Sequence, residues 1–177
     1  MRFLYFINLT LLLFFNSNSI SYSCDFTKIT MGTKISEIEN KYEDLSITIN
    51  DNYEDSTLLF TFDTSLFCKD DLLKNSFMNI YVKEKKLIGI QIEGLDVDQN
   101  NLAIYKFAQD NFGLKDEKAK LANWVGAVDL SSNSNSVIYG KVMGFDGIFE
   151  TLEISSVEYA DYMIGGDIIE VFQWLEI

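Results

Sequence analysis

The chain has 177 residues, a net charge of −13, 47% apolar residues and no histidine. Without histidine there is no Ser-His-Asp triad, no Cys-His pair and no His-based zinc site, and no cofactor or metal is expected. Arg2 is the only arginine, so guanidinium clamps on phosphate are missing from the rest of the chain; the acidic balance also repels phosphate, which argues against nucleic acid as a partner.

The chain opens "MRFLYFINLTLLLFFNSNSISYS". Arg2, an apolar run from Phe3 to Phe15 and a Ser/Asn-rich stretch have the three-part plan of a secretory signal over residues 1–23. The run falls short of the roughly 18 residues a spanning helix needs, so no membrane span is expected after cleavage. Ser21 and Ser23 permit a cut before Cys24; Ser19 and Ser21 permit one before Tyr22. Tyr22 is too bulky for the residues that precede a lipidated cysteine. The reading is therefore a soluble secreted or periplasmic domain over 24–177, with a lipid-anchored envelope protein as the alternative. Cys24 and Cys68 are the only cysteines and pair naturally in an oxidising compartment. Closing a loop of roughly 45 residues contributes about 4 kcal/mol in the chain-entropy model.

The exported part begins with "KITMGTKISEIENKYED", where Gly32-Thr33 reads as a turn and Ile35, Ile38 and Tyr42 recur at helical spacing. Thr33 or Ser36 is the expected helix cap. "LSITI" (45–49) and "TLLFTFDT" (57–64) read as strands around a polar loop. "MNIYVKEKKLIGIQIEG" alternates as a hairpin turning near Glu84-Lys85, without the usual Asn-Gly. A second helix follows in "DVDQNNLAIYKFAQDNFG", capped by Asp96 or Asp98 and stopped by Gly113. Four strands complete the chain: 124–130, 137–143, a long 148–163 and 168–177. In the long one the inward parity changes after Leu152 and Ile154, which calls for a bulge or tight turn near Ser155-Ser156. The fold class is α+β, an antiparallel sheet with two main helices. The element order divides into two similar helix-plus-sheet halves, 24–94 and 95–177.

Charge is uneven along the chain. From Leu121 to Ile177 one lysine, Lys141, stands against nine acids. That third also holds Trp124, Trp174, Tyr139, Tyr159 and Tyr162. Most of these aromatics belong in a core; those left exposed among carboxylates make anchors of a protein interface. Glu150, Glu153, Glu158 and Asp161, with Tyr139, Tyr159 and Tyr162, are the expected partner-binding set. The same carboxylates offer the acid pairs of a glycoside-type hydrolase, a weaker reading because an acidic strand supplies such pairs by chance. Asp96, Asp98 and Asn100 begin like a calcium loop, but Asn101 replaces its glycine and Phe107 its bidentate Glu.

"ITMGTKISEI", with Ile29, two intervening residues and then Gly32, and Glu37-Ile38 beyond it, resembles the opening helix of β-lactamase-inhibitor-like proteins. That group includes small outer-membrane assembly lipoproteins and secreted inhibitors. Here Met31 precedes the glycine rather than following it, and Tyr42-Glu43 stands where a second glycine belongs. The resemblance implies a binding module with a concave sheet and carries over no functional residue. The expected function is non-catalytic binding, inhibitor or immunity-type, of a basic protein. The alternatives are an envelope-anchored assembly lipoprotein and a carboxylate-dependent hydrolase.

Overall fold

The computed structural model describes residues 24–42, 45–47, 49, 56–68, 71–94, 102–121, 123–144, 147–163 and 168–171. The predicted leader, the Asp96–Asn100 segment and Trp174 lie outside these residues.

Alternation of apolar and polar residues makes the strands. β1 (Thr57–Asp63), β2 (Ser76–Lys83) and β3 (Lys86–Gly94) form one antiparallel meander. β4 (Gly126–Asp129), β5 (Asn135–Gly144) and β6 (Gly147–Ser156) form another. The meanders join through their last strands, β3 against β6, with Ile90 opposite Ile154 and Ile92 opposite Leu152. The sheet order is β4-β5-β6-β3-β2-β1-β7, where β7 (Ile168–Val171) runs parallel to β1. The α+β class, its antiparallel strands and its two main helices are as expected; the parallel edge strand is the exception.

One face of the sheet is the core. Leu58, Phe60 and Phe62 from β1, Met78, Ile80 and Val82 from β2, and Ile90 and Ile92 from β3 point there. Leu152 and Ile154 from β6 and Val137 and Tyr139 from β5 continue the layer. Helix α1 (Ile35–Lys41) covers it with Ile35 and Ile38, and α2 (Ala103–Phe112) with Ile104, Phe107 and Ala108. Gly113 adopts φ +74° and ends α2, where its lack of a Cβ is needed.

Three sequence expectations change. Residues 45–47 are not a strand; Leu45 and Ile47 are buried, and the Ile47 N–H donates to Glu39 Oε1 at 2.8 Å instead of to a ladder. The long strand expected over 148–163 stops at Ser156, at the anticipated parity change, and a turn leads into the short helix α3 (Ala160–Met163). Neither main helix has a side-chain N-cap next to it in sequence. For α1 the first free N–H, that of Ile35, donates to the Lys85 carbonyl at the hairpin tip, 2.9 Å away.

That tip has Glu84 at φ +50° and Lys85 at φ +59°. A two-residue turn of this hand suits the twist of the strands but asks two L-residues into the left-handed region. Just above it a bulge sets Tyr81 opposite Gly89 and Val82 opposite Leu87, so the extra residue, Ile88, packs on the far face with Tyr81 and Met163.

Cys24 and Cys68 form a disulfide, both buried. From Cys24 a strap runs through a 3-10 turn (Asp25–Lys28) to the hairpin. There the Gly32 N–H donates to Leu87 O at 2.7 Å and the Leu87 N–H to Thr33 O at 2.9 Å. Replacing both cysteines by serine is expected to lower the unfolding free energy by about 4 kcal/mol, read from urea denaturation. Exchanging Glu84-Lys85 for Asn-Gly is expected to raise it by about 1–2 kcal/mol in the same assay; no gain would mean that the left-handed turn costs nothing here.

Candidate functional site

Glu150 shares the inward parity of Leu152 and Ile154, so its carboxylate is carried into the core, fully buried. It lies at the N-terminus of α2. Oε1 accepts from the Tyr105 N–H at 2.9 Å and the Tyr139 hydroxyl at 2.8 Å; Oε2 accepts from the Ile104 N–H at 3.2 Å. A residue 45 positions further along the chain thus caps the helix. Opposite it across the ladder stands Lys141, 1% exposed. Its ammonium donates to Ala119 O at 2.9 Å and Leu121 O at 2.7 Å, the carbonyl end of the 3-10 turn Glu117–Lys120. The carboxylate thus sits at the positive end of one helical segment and the ammonium at the negative end of another. Trp124 stacks on Tyr139 at 6.4 Å, with Lys141 Nζ 5.7 Å from its ring, and Tyr105 meets Tyr139 edge-on at 5.7 Å.

Burial pushes the Glu150 carboxyl above its ordinary value, against four opposing influences: the Tyr139 hydroxyl, the two backbone N–H groups and the Lys141 charge. Burial lowers Lys141, and attraction to Glu150 works the other way. Tyr139 is raised, by burial first and then by the neighbouring carboxylate. This cluster fastens the 113–125 connection and α2 to the sheet. Its Glu150, Tyr139 and Lys141 side chains are closed off from solvent.

The opposite face of the sheet is open over its centre. Two rows cross all six antiparallel strands there. The first reads Thr61, Asn79, Gln91, Glu153, Ile138, Asp129; the second reads Asp63, Phe77, Glu93, Thr151, Gly140, Ala127. In the first row side chains bond strand to strand. Thr61 Oγ1 donates to Asn79 Oδ1 at 2.7 Å, Asn79 Nδ2 to Gln91 Oε1 at 3.0 Å, and Gln91 Nε2 to Glu153 Oε1 at 3.0 Å. The Tyr81 hydroxyl also donates to Gln91 Oε1, at 3.2 Å. Every amide in the chain points its donors toward Glu153, which polarises the series. Glu153 is raised by burial first and by the Glu93 charge, with the Gln91 hydrogen bond opposing. Asp129 is held below its ordinary value by hydrogen bonds from Ser131. The rows thus hold Asp63, Glu93, Glu153 and Asp129 and no cation. Lys83 and Lys86 lie at the hairpin end, with Lys83 Nζ 4.4 Å from the Tyr162 ring.

The expected partner-binding set is therefore divided. Glu150 and Tyr139 are core residues, an outcome of strand parity, and are withdrawn from any surface role. Glu153 lies on the open face. Glu158 and Asp161 are exposed in the turn before α3 and on α3 itself. Tyr162 is 40% exposed, and Tyr159 is half-buried, packed against Tyr81, Ile88 and Met163. Glu150 and Glu153, nominated together for acid/base chemistry, face opposite sides of the sheet and do not assemble as a pair. The open face adds Asp63, Phe77, Glu93 and Asp129, which only the pairing of distant strands could bring together. Among the described residues no group of three or more Cys, Asp or Glu is placed to hold a metal ion.

No family model matches the chain, and no curated protein or solved structure shows significant similarity to it.

Glu150→Ala strands two helix N–H groups, a phenol and the Lys141 charge, and is expected to cost about 3–5 kcal/mol, measured by urea unfolding. Glu150→Gln combined with Lys141→Met is expected to cost less than the sum of the single changes; strict additivity would break the proposed coupling. For Glu153 the folded-state value lies above the ordinary 4.5. Its contribution is present below that value and lost as pH rises through the folded one. The stability difference between wild type and Glu153→Gln should therefore move against wild type from pH 4.5 to 7. A pH-independent difference would contradict this.

Proposed function

We propose that the chain is an exported, non-catalytic protein-binding module of inhibitor or immunity type, whose open sheet face engages a basic protein. The observation that carries this reading is the pair of rows with four carboxylates and no cation. Around them lie exposed apolar groups: Phe77 at 40%, Val142 at 59%, and half-buried Phe149, which pairs with Val142 on the same side. Aromatic and aliphatic anchors within a charged surround are what a protein interface uses. A sheet that serves as binding surface is also what the resemblance of "ITMGTKISEI" implies.

The carboxylates speed encounter with a cationic surface, and the apolar groups set the residence time. Glu153 is held in place by Gln91 through Oε1, and its Oε2 has no protein partner among the described residues. A lysine or arginine of the partner supplies the missing donor. Export is supported by the disulfide, a bond of oxidising compartments. A sulfur bonded to Cys68 is not free to carry a thioether-linked lipid, which favours the diffusing form over the anchored one. No helix among the described residues is long and apolar enough to cross a membrane.

The test is affinity capture by the exported domain from envelope extract at low salt, followed by association kinetics with the protein recovered. A cationic partner is expected, with association slowed several-fold by Glu93→Gln or Glu153→Gln at low ionic strength and the difference lost at high salt. Phe77→Ala should instead raise the dissociation rate. Recovery of no cationic protein, or rates indifferent to salt, would overturn the proposal.

A further inference from the structure

A cleft of about 550 Å³ lies on the core side of the sheet, between the strap, the end of α2 and the β4–β5 turn. It is bounded by the strap, the end of α2 and strands β5 and β6 of the second meander, and a concave apolar space with a few polar groups is where small-molecule sites form. Its floor is apolar: Ile29, Met31, Phe112, Leu130, Val137 and Ile154. Its rim is uncharged and polar, with Thr30, Ser134, Asn135 and Ser156, and one cation, Lys28. Lys28 is 3.5 Å from Asp25. Among the described residues no Asp or Glu lines the cleft, in a chain that carries twenty-seven of them.

The Ser156 hydroxyl, on this lining, is buried with no hydrogen-bond partner. A buried hydroxyl without a partner is uncommon and invites a ligand atom. The neighbouring backbone offers little to an extended peptide. Thr27 and Ile29 N–H groups bond within the strap, Leu130 and Ser132 N–H groups bond Val137 and Asn135 carbonyls, and Ser134 O accepts from Val157. A phosphate would find a single lysine already facing a carboxylate.

The geometry points to a site for an acyl chain that ends in one carbonyl or carboxylate oxygen. The chain lies along the apolar floor, and its terminal oxygen accepts from Ser156 Oγ. The absence of acids lets a weak anion enter here, though the rest of the surface repels it.

Decanoate and methyl decanoate are the probes, titrated against the exported domain by calorimetry. The expected result is saturable 1:1 binding, with a dissociation constant on the order of 10–100 μM for about a dozen heavy atoms. Equal binding of both probes assigns the site to an ester carbonyl; preference for decanoate assigns it to a free acid. Ser156→Ala should weaken binding about three- to tenfold while raising the thermal midpoint of the unliganded domain, since it removes the unpaired hydroxyl. Thr30→Trp, at an exposed rim position, should fill the mouth and abolish binding with the circular dichroism spectrum unchanged. No saturable binding of either probe, undiminished binding by Thr30→Trp, or unchanged affinity in Ser156→Ala would each overturn the assignment.

Discussion

Ile90 opposite Ile154 and Ile92 opposite Leu152 fasten the two meanders along β3 and β6, and the register of that seam decides which side of the sheet each carboxylate meets. Side chains alternate strictly along a strand, so a slip of one residue would exchange the two faces of β6. Glu153 would enter the core without a donor, and Glu150 would leave α2 uncapped. The apolar pairs oppose such a slip, and so does the carboxylate itself. Its three hydrogen bonds exist only when Glu150 stands at the start of α2. Packing and polar pairing therefore select the same register, and agreement of this kind gives a chain one native state.

Both helices begin on distant partners: α1 on the Lys85 carbonyl, α2 on the Glu150 carboxylate. Isolated helices of 7 and 10 residues are too short to hold themselves in water. They form because the sheet is there to cap them and to bury their apolar stripe. Burial of Glu150 and Lys141 is costly in itself, and a well-packed apolar pair would often serve stability as well. What the charged pair adds is direction: each charge fits only one end of one helical segment.

The strands were legible because their alternation is local. The hairpin, the turn after Ser156 and the stop at Gly113 could be read for the same reason, since each depends on adjacent residues. The error at 45–47 came from an apolar alternation that buries Leu45 and Ile47 outside any strand. The α1 cap was misassigned because Thr33 and Ser36 looked sufficient, whereas the Ile35 N–H reaches across to the Lys85 carbonyl. Glu150 carried a usable signal, its shared parity with Leu152 and Ile154, and Lys141 stood out as the only cation of its third of the chain. The open face was not legible, because Asp63, Phe77, Glu93, Glu153 and Asp129 share a surface only through strand order.

The strap between Cys24 and Thr33 is held at both ends, by a covalent bond to Cys68 and by the paired backbone at Leu87. Cys68 follows the turn at the end of β1, which lies between β2 and β7 inside the sheet. A load applied at Cys24 bypasses the strap and passes through sulfur to the turn that follows β1. Load at this end is therefore carried by β1, one strand in from the β7 edge.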